Sequence, residues 1–288
     1  MYNKKIQIAG LYFVLPTLII YGIFLIYPMI TAFHYSFFKW NLLSEKKYVG
    51  LSNFAKMIND KRFWNSYITT FHFTLISIVL IIFLSFILAL ILEKSFKFKN
   101  VFQSAIFIPV ILTMVSIAVV WQFMFQSTGI LSNLFIDLFG TKVKWLTSTK
   151  IAPYSMILVN VWKMTGYYMI IFIAGLLNVP NTFYEAARVD GANYFERLIY
   201  ITLPQMKNTF ILVFVSGVIF SFAAFPQQYV MTEGGPGRST EVLALLIYKQ
   251  AFEFTKFGYS SSISVAFFAS LLLFSIIQLR LFKSESNL

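Results

Sequence analysis

Side chains able to do covalent chemistry are scarce and scattered in this sequence. Cysteine is absent, which excludes disulfides, thiolate metal sites and cysteine nucleophiles. The two histidines, His34 and His72, each stand alone in an apolar run and read as packing or interfacial residues. The 11 acidic residues show no pairing suited to general acid–base work. The stretch "TEGGPGRST" is rich in glycine, but a phosphate-cradling loop needs Gly, four residues, then Gly-Lys-Ser/Thr. Counting back from Gly237 reaches Thr232, and Arg238 replaces the lysine, so the stretch reads as a turn.

The polar groups that stand out lie inside apolar runs. "NVWKMTGYY" places Asn160, Lys163 and Tyr167 at i, i+3 and i+7, on one helical face, with Trp162 somewhat off it. Phe220 and Ser221 align similarly on a later run. An aromatic platform beside amide and hydroxyl groups suits a sugar, which offers apolar C–H faces and a rim of hydroxyls. Lys163 lies roughly 15 Å along its helix from Pro153, at about 1.5 Å per residue. A charge at that depth either lines a solute path or is paired and snorkelled. Gln122, Gln126, Gln227 and Gln228 read first as interhelical hydrogen bonds.

The elements that must position these groups follow from composition. The chain has 288 residues, 58% of them hydrophobic, 19% aromatic and only 12% charged. Soluble domains carry about 25% charged residues, so this is a membrane protein. A helix needs about 20 mostly apolar residues to cross a bilayer core. Six segments qualify, roughly 8–31, 67–92, 101–126, 153–177, 209–228 and 261–282. The expected fold is therefore all-α and integral to the membrane. The apolar N-terminal run is too long for a cleaved signal and reads as a first span that stays. No stretch outside the spans is much longer than about 30 residues, too short for an independent domain. The whole of 1–288 reads as one membrane domain, with 1–66 a first span and external loop and 67–282 a five-helix core. The net charge of +12 comes with no basic stripe interleaved with aromatics, so lipid is the expected partner and nucleic acid is not. Six spans put both termini on one side, and the three lysines of "KSFKFKN" favour the inside.

The stretch "FYEAARVDGANYFERLIYITLP", Phe183 to Pro204, is charged and helix-like between two apolar runs. Thr182 and Glu185 have capping-box spacing after Pro180, and Gly191 is a natural helix stop. Asn193 and Glu196 offer a second cap, and that helix is expected to end before Pro204. Physics alone leaves open a surface helix lying on the lipid. The spacing, however, is Glu185-Ala186-Ala187, three residues, Gly191, nine residues, Ile201, one residue, Leu203-Pro204. That pattern resembles the EAA loop of the membrane subunits of ABC importers, with every fixed position filled. "VGLSNFAKMINDKRFWNSYITTFHFT" and "MTEGGPGRSTEVLALLIYKQAFEFTKFGYSSSISV" are similar to segments of the maltose-permease type, and most of the chain is covered. The resemblance is to its compact six-span sugar permeases.

The resemblance implies a type I ABC importer permease fold in a bacterial-type plasma (inner) membrane, both termini cytoplasmic. Residues 181–204 would be a cytoplasmic coupling loop, with Glu185, Ala186, Ala187, Arg188, Asp190 and Gly191 meeting an ATPase. Asn160, Trp162 and Tyr167 stand where sugar-contacting positions occur in that family, and together with Lys163, Phe220 and Ser221 from the runs above they would line the substrate path. Gly234, Gly235 and Pro236 would dock an extracellular or periplasmic solute-binding protein. Partners would be a second, related permease chain forming a heterodimer and two ATPase subunits, which carry ATP and Mg; this chain binds no cofactor or metal and is not an enzyme. The cargo would be a sugar or oligosaccharide, or alternatively glycerol-3-phosphate, a polyol or an acidic sugar, since Lys163 replaces an apolar position of maltose permease. A secondary transporter would need a carboxylate near mid-membrane, and none lies there. An integral membrane enzyme would need paired carboxylates or a His cluster, also missing.

Overall fold

The structure, a computed structural model, describes residues 2–94 and 97–283. Met1 and residues 284–288, the ends expected inside, lie outside the described residues, as do Ser95 and Phe96 of the "KSFKFKN" run. The described residues cluster into two compact units, 2–64 with 246–270, and 65–245 with 271–283.

In the first unit, α1 (Tyr2–Tyr21), a π turn (Gly22–Ile26) and α2 (Tyr27–Tyr35) run on without a break. A two-stranded ribbon follows, β1 (Phe38–Lys39) antiparallel to β2 (Lys47–Tyr48), and then α3 (Ser52–Ile58). The buried Asn53 amide donates to the Ser36 and Phe38 carbonyls at 2.8 and 3.0 Å, which fixes the ribbon's start. Next come α4 (Lys61–Glu93), α5 (Lys99–Ile111), α6 (Met114–Phe125), α7 (Ile130–Phe139) and α8 (Ala152–Leu177). The chain then runs through α9 (Asn181–Val189), α10 (Tyr194–Arg197), a π turn, α11 (Leu203–Gln205) and α12 (Lys207–Phe222). It ends with α13 (Pro226–Thr232), α14 (Leu243–Tyr248), a π turn and α15 (Phe257–Lys283).

Among the described residues, four helices are long and apolar enough to cross a membrane: Tyr12–Tyr35, Lys61–Glu93, Ala152–Leu177 and Phe257–Gln278. The count reaches six if each of two bent pairs is one span. The expected continuous span over 101–126 is one of those pairs: α5 and α6 meet at 100°. Leu112 and Thr113 are extended there, with ψ of 147° and 146°, and the Thr113 hydroxyl accepts from Ser116 N at 3.2 Å to restart the helix. The expected fifth span also stops short. α12 ends at Phe222, and Pro226 opens α13, because proline fits a first helical turn and not an interior one.

The core of the second unit forms where α4, α8 and α12 meet. Phe86, Phe172 and Phe210 pack there with ring centroids 4.8 to 5.4 Å apart. Small residues let the backbones approach, as is usual where lipid supplies no hydrophobic drive between helices. A Cβ on Gly166 of α8 would lie 2.3 Å from the Ile106 carbonyl oxygen of α5. Because that neighbour is backbone, the helices themselves would have to separate. Gly166→Ala is therefore expected to cost about 1–3 kcal/mol, checked by thermal unfolding of the purified protein, with the packing of α5 on α8 lost first.

Candidate functional site

The 181–204 segment is a helical hairpin built from local rules. α9 begins at Asn181, directly after Pro180, whose ψ of 131° is extended. The expected Thr182–Glu185 capping box does not form. Helix initiation right behind the proline puts Thr182 inside the first turn, where its side chain no longer caps. The helix ends as expected at Gly191, with φ +78°. Ala192 N–H donates to the Ala187 carbonyl at 2.8 Å and Gly191 N–H to Arg188 at 3.1 Å, the two bonds of a Schellman stop.

Asn193 then starts α10 with a full capping box. Its side-chain oxygen accepts from Phe195 N at 2.9 Å and Glu196 N at 3.0 Å, and Glu196 accepts from Asn193 N at 2.7 Å. Asn193→Ala is expected to cost about 1 kcal/mol, seen as faster amide exchange in 193–197 with the rest of the chain unchanged. The expected end before Pro204 is overturned, since helix continues to Gln205. Leu198–Thr202 is a π turn, and Leu203 N–H reaches back to the Leu198 carbonyl. Pro204 itself donates nothing, and the wider register of the turn before it carries the helix past its ring.

Glu185, Ala186, Arg188, Asp190 and Gly191 are all exposed on this hairpin, and Ala187 is half-buried. No residue of α9 is buried. The underside is tethered: Tyr184 and Thr202 share a hydroxyl hydrogen bond of 3.0 Å, and Lys94 lies 4.9 Å from the Tyr194 ring centre. Neither contact carries a sequence signal, because each joins residues far apart in the chain.

The six expected path residues do not form one cluster. Asn160 and Ser221 are buried, whereas Trp162, Tyr167 and Phe220 are exposed. Among the described residues, no hydrogen bond or ring contact joins any two of the six. Trp162 packs on Trp121 at 5.4 Å and lines a largely apolar cavity of 790 Å³ with Pro109, Tyr154 and Thr165. Asn160 Nδ2 is buried without a protein partner, as are polar atoms of Gln227 and Gln228. Lys163 reaches the broken span. Its ammonium donates to the carbonyls of Pro109 at 3.1 Å, Val110 at 3.1 Å and Leu112 at 2.6 Å. Those are orphan acceptors at the end of α5, where a cation is also favoured by the helix dipole.

Gly234, Gly235 and Pro236 lie in an ordered turn. Gly234 is buried with φ +84°, and a Cβ there would press on Glu241 at 3.1 Å. Thr240 Oγ1 donates to the Gly235 carbonyl at 2.8 Å, and Asn65 Nδ2 to Arg238 O at 3.1 Å. Gly237 and Arg238, not singled out by the spacing, are the exposed tip.

Residues 81–285 match the family described as binding-protein-dependent transport system inner membrane component. A probable ABC transporter permease of Pyrococcus horikoshii is 34% identical over 88% of each chain. The trehalose/maltose transport permease MalF of Thermococcus litoralis is 32% identical, covering 94% of this chain and 92% of its own. A chain of a bacterial ABC transporter involved in the import of the acidic polysaccharide alginate has the same fold, with a TM-score of 0.87, at 20% identity and over 99% of this chain and 98% of that one. With the family matched over residues 81–285 and relatives of 34% and 32% identity covered over most of their length, the chain belongs to the inner membrane components of binding-protein-dependent transport systems.

Proposed function

We propose that this chain is the permease subunit of an ATP-driven ABC importer for a sugar or oligosaccharide. It is a multi-pass inner-membrane protein and not itself an enzyme. The observation that carries the reading is the exposed helical hairpin at 181–204, a charged docking element between two spans with no residue of α9 covered. The partners are a second permease chain, two ATPase subunits that hold ATP and Mg, and a loaded solute-binding protein. In this reading the hairpin faces the cytoplasm, both termini are cytoplasmic, and the 36–60 and 233–240 loops are external.

Binding-protein docking outside and ATPase closure inside bias one equilibrium between inward- and outward-open states, and a ligand shifts it only by its differential affinity for the two. Glu185 to Gly191 transmit the ATPase motion. The ordered turn around Gly234–Pro236 presents the exposed Gly237–Arg238 tip to the binding protein. Trp162 and Tyr167 offer the aromatic faces and Asn160 an unpaired amide for the passing sugar. Lys163, whose three donors meet carbonyls, shapes the path at the break between α5 and α6 and does not read the cargo's charge. The trehalose/maltose relative supports a neutral oligosaccharide as cargo.

The test is uptake of labelled neutral oligosaccharides by proteoliposomes holding the whole complex. ATP-dependent accumulation that disappears when this chain is omitted supports the proposal. Accumulation driven by an ion gradient without ATP contradicts it.

A further inference from the structure

The first unit holds a cavity lined by none of the residues given a transport role above. It measures 340 Å³ and is lined by Lys39, Lys56 and Lys256, by the rings of Trp40 and Tyr259, and by Ser52 among others, with no carboxylate in the lining. Its walls are built with care. Gly258 N–H donates to the Trp40 carbonyl, and a Cβ on Gly258 would collide with Phe38 O, so the ribbon rests on the first turn of α15. Tyr259 is held by a 2.6 Å bond from its hydroxyl to Asp60, which occupies that carboxylate.

Charge is unbalanced around this cavity. Lys39 stands directly opposite Lys47 in the ribbon, a like-charge pair that disfavours the strand pairing. Lys46 lies 4.5 Å from the ring centres of both Tyr35 and Trp40, adding a further cation beside the lining tryptophan. An anion in the cavity would relieve this repulsion.

Position identifies the anion. Lys39 and Trp40 follow the end of α2 at Tyr35 by a few residues, and Lys256 and Tyr259 flank the start of α15 at Phe257. Both helices are among the apolar spans, so the cavity sits where they leave the hydrocarbon, the depth of lipid headgroups and of interfacial aromatic residues. Beside it the ribbon's turn carries Leu42 and Leu43, which are 50% and 90% exposed, an apolar tip suited to the acyl boundary.

We infer that this cavity binds the phosphate headgroup of an anionic phospholipid. Lys39, Lys56 and Lys256 meet the phosphate, and Trp40 and Tyr259 cover the glycerol carbons. The contribution of basic residues near an anionic surface amounts to roughly fivefold each, so three give about 100-fold preference over a zwitterionic lipid.

The test uses the full chain in nanodiscs of phosphatidylcholine with or without phosphatidylglycerol, with lipids retained after detergent extraction counted by native mass spectrometry. Wild type should retain phosphatidylglycerol selectively, and Lys39→Gln/Lys56→Gln/Lys256→Gln should lose that selectivity by about 100-fold. The three side chains are exposed, so folding should be unaffected. If the triple variant nevertheless fails to fold, Lys256→Gln alone should weaken retention about fivefold. Equal retention by wild type and folded variants overturns the inference. Binding of soluble glycerol phosphate in place of lipid also overturns it, and assigns the cavity to a soluble phosphoester.

Discussion

Lys163→Met should destabilise the membrane domain by about 2–3 kcal/mol, one of the largest single-residue effects in the chain. The ammonium serves three carbonyls at the end of α5, and a methionine of similar volume serves none. In an apolar setting an unserved backbone acceptor has no water to turn to. Partial solvent access at Lys163 is the reason the expected loss stays below the sum of three orphaned groups. Lys163→Arg keeps the donors and should recover most of the stability. The measurement is the unfolding midpoint of the purified complex, with uptake in parallel. A Met variant with unchanged midpoint but altered sugar preference would return Lys163 to the role of cargo reader.

Gly191→Asp should leave insertion and folding intact and reduce ATP-driven uptake at least ~30-fold. The left-handed φ of +78° is tolerated by Asp better than by most residues, and a Cβ there meets nothing within 4 Å. The change therefore acts on what docks from outside. A carboxylate left unpaired under a partner costs about 2–5 kcal/mol, which sets the size of the effect. Copurification of the ATPase should fall in step with transport. Normal copurification together with normal uptake would remove Gly191 from the docking surface.

The sequence made some elements plain because their causes are local. Gly191 supplies the left-handed turn, and Asn193 with Glu196 satisfies the next helix start within four residues, so both were readable from spacing. Hydropathy likewise located α4, α8 and α15, whose apolar runs are long enough to cross a membrane. The Thr182–Glu185 cap failed because the preceding proline moves the helix start, a competition between two local rules. Pro204 reads as a stop in the sequence, yet a π turn over 198–202 carries the helix through it to Gln205. The break at Leu112 was hidden for a different reason. Its stabilising group, Lys163, comes 51 residues later and depends on Gly166 bringing α8 against α5. Helical face groups Asn160, Lys163 and Tyr167, and the resemblance adds Trp162, but neither can tell which stripe of α8 meets protein and which stays open. Asn160 lies buried while Trp162 and Tyr167 are exposed.

The most direct test of the account is the ATPase rate of the assembled complex in proteoliposomes, with and without sugar-loaded binding protein. The account predicts stimulation by the loaded binding protein that vanishes in Gly191→Asp while the unstimulated rate of free ATPase subunits is unchanged. A rate indifferent to the binding protein, or stimulation that survives a disrupted hairpin, would contradict the claim that this chain carries the signal across the membrane.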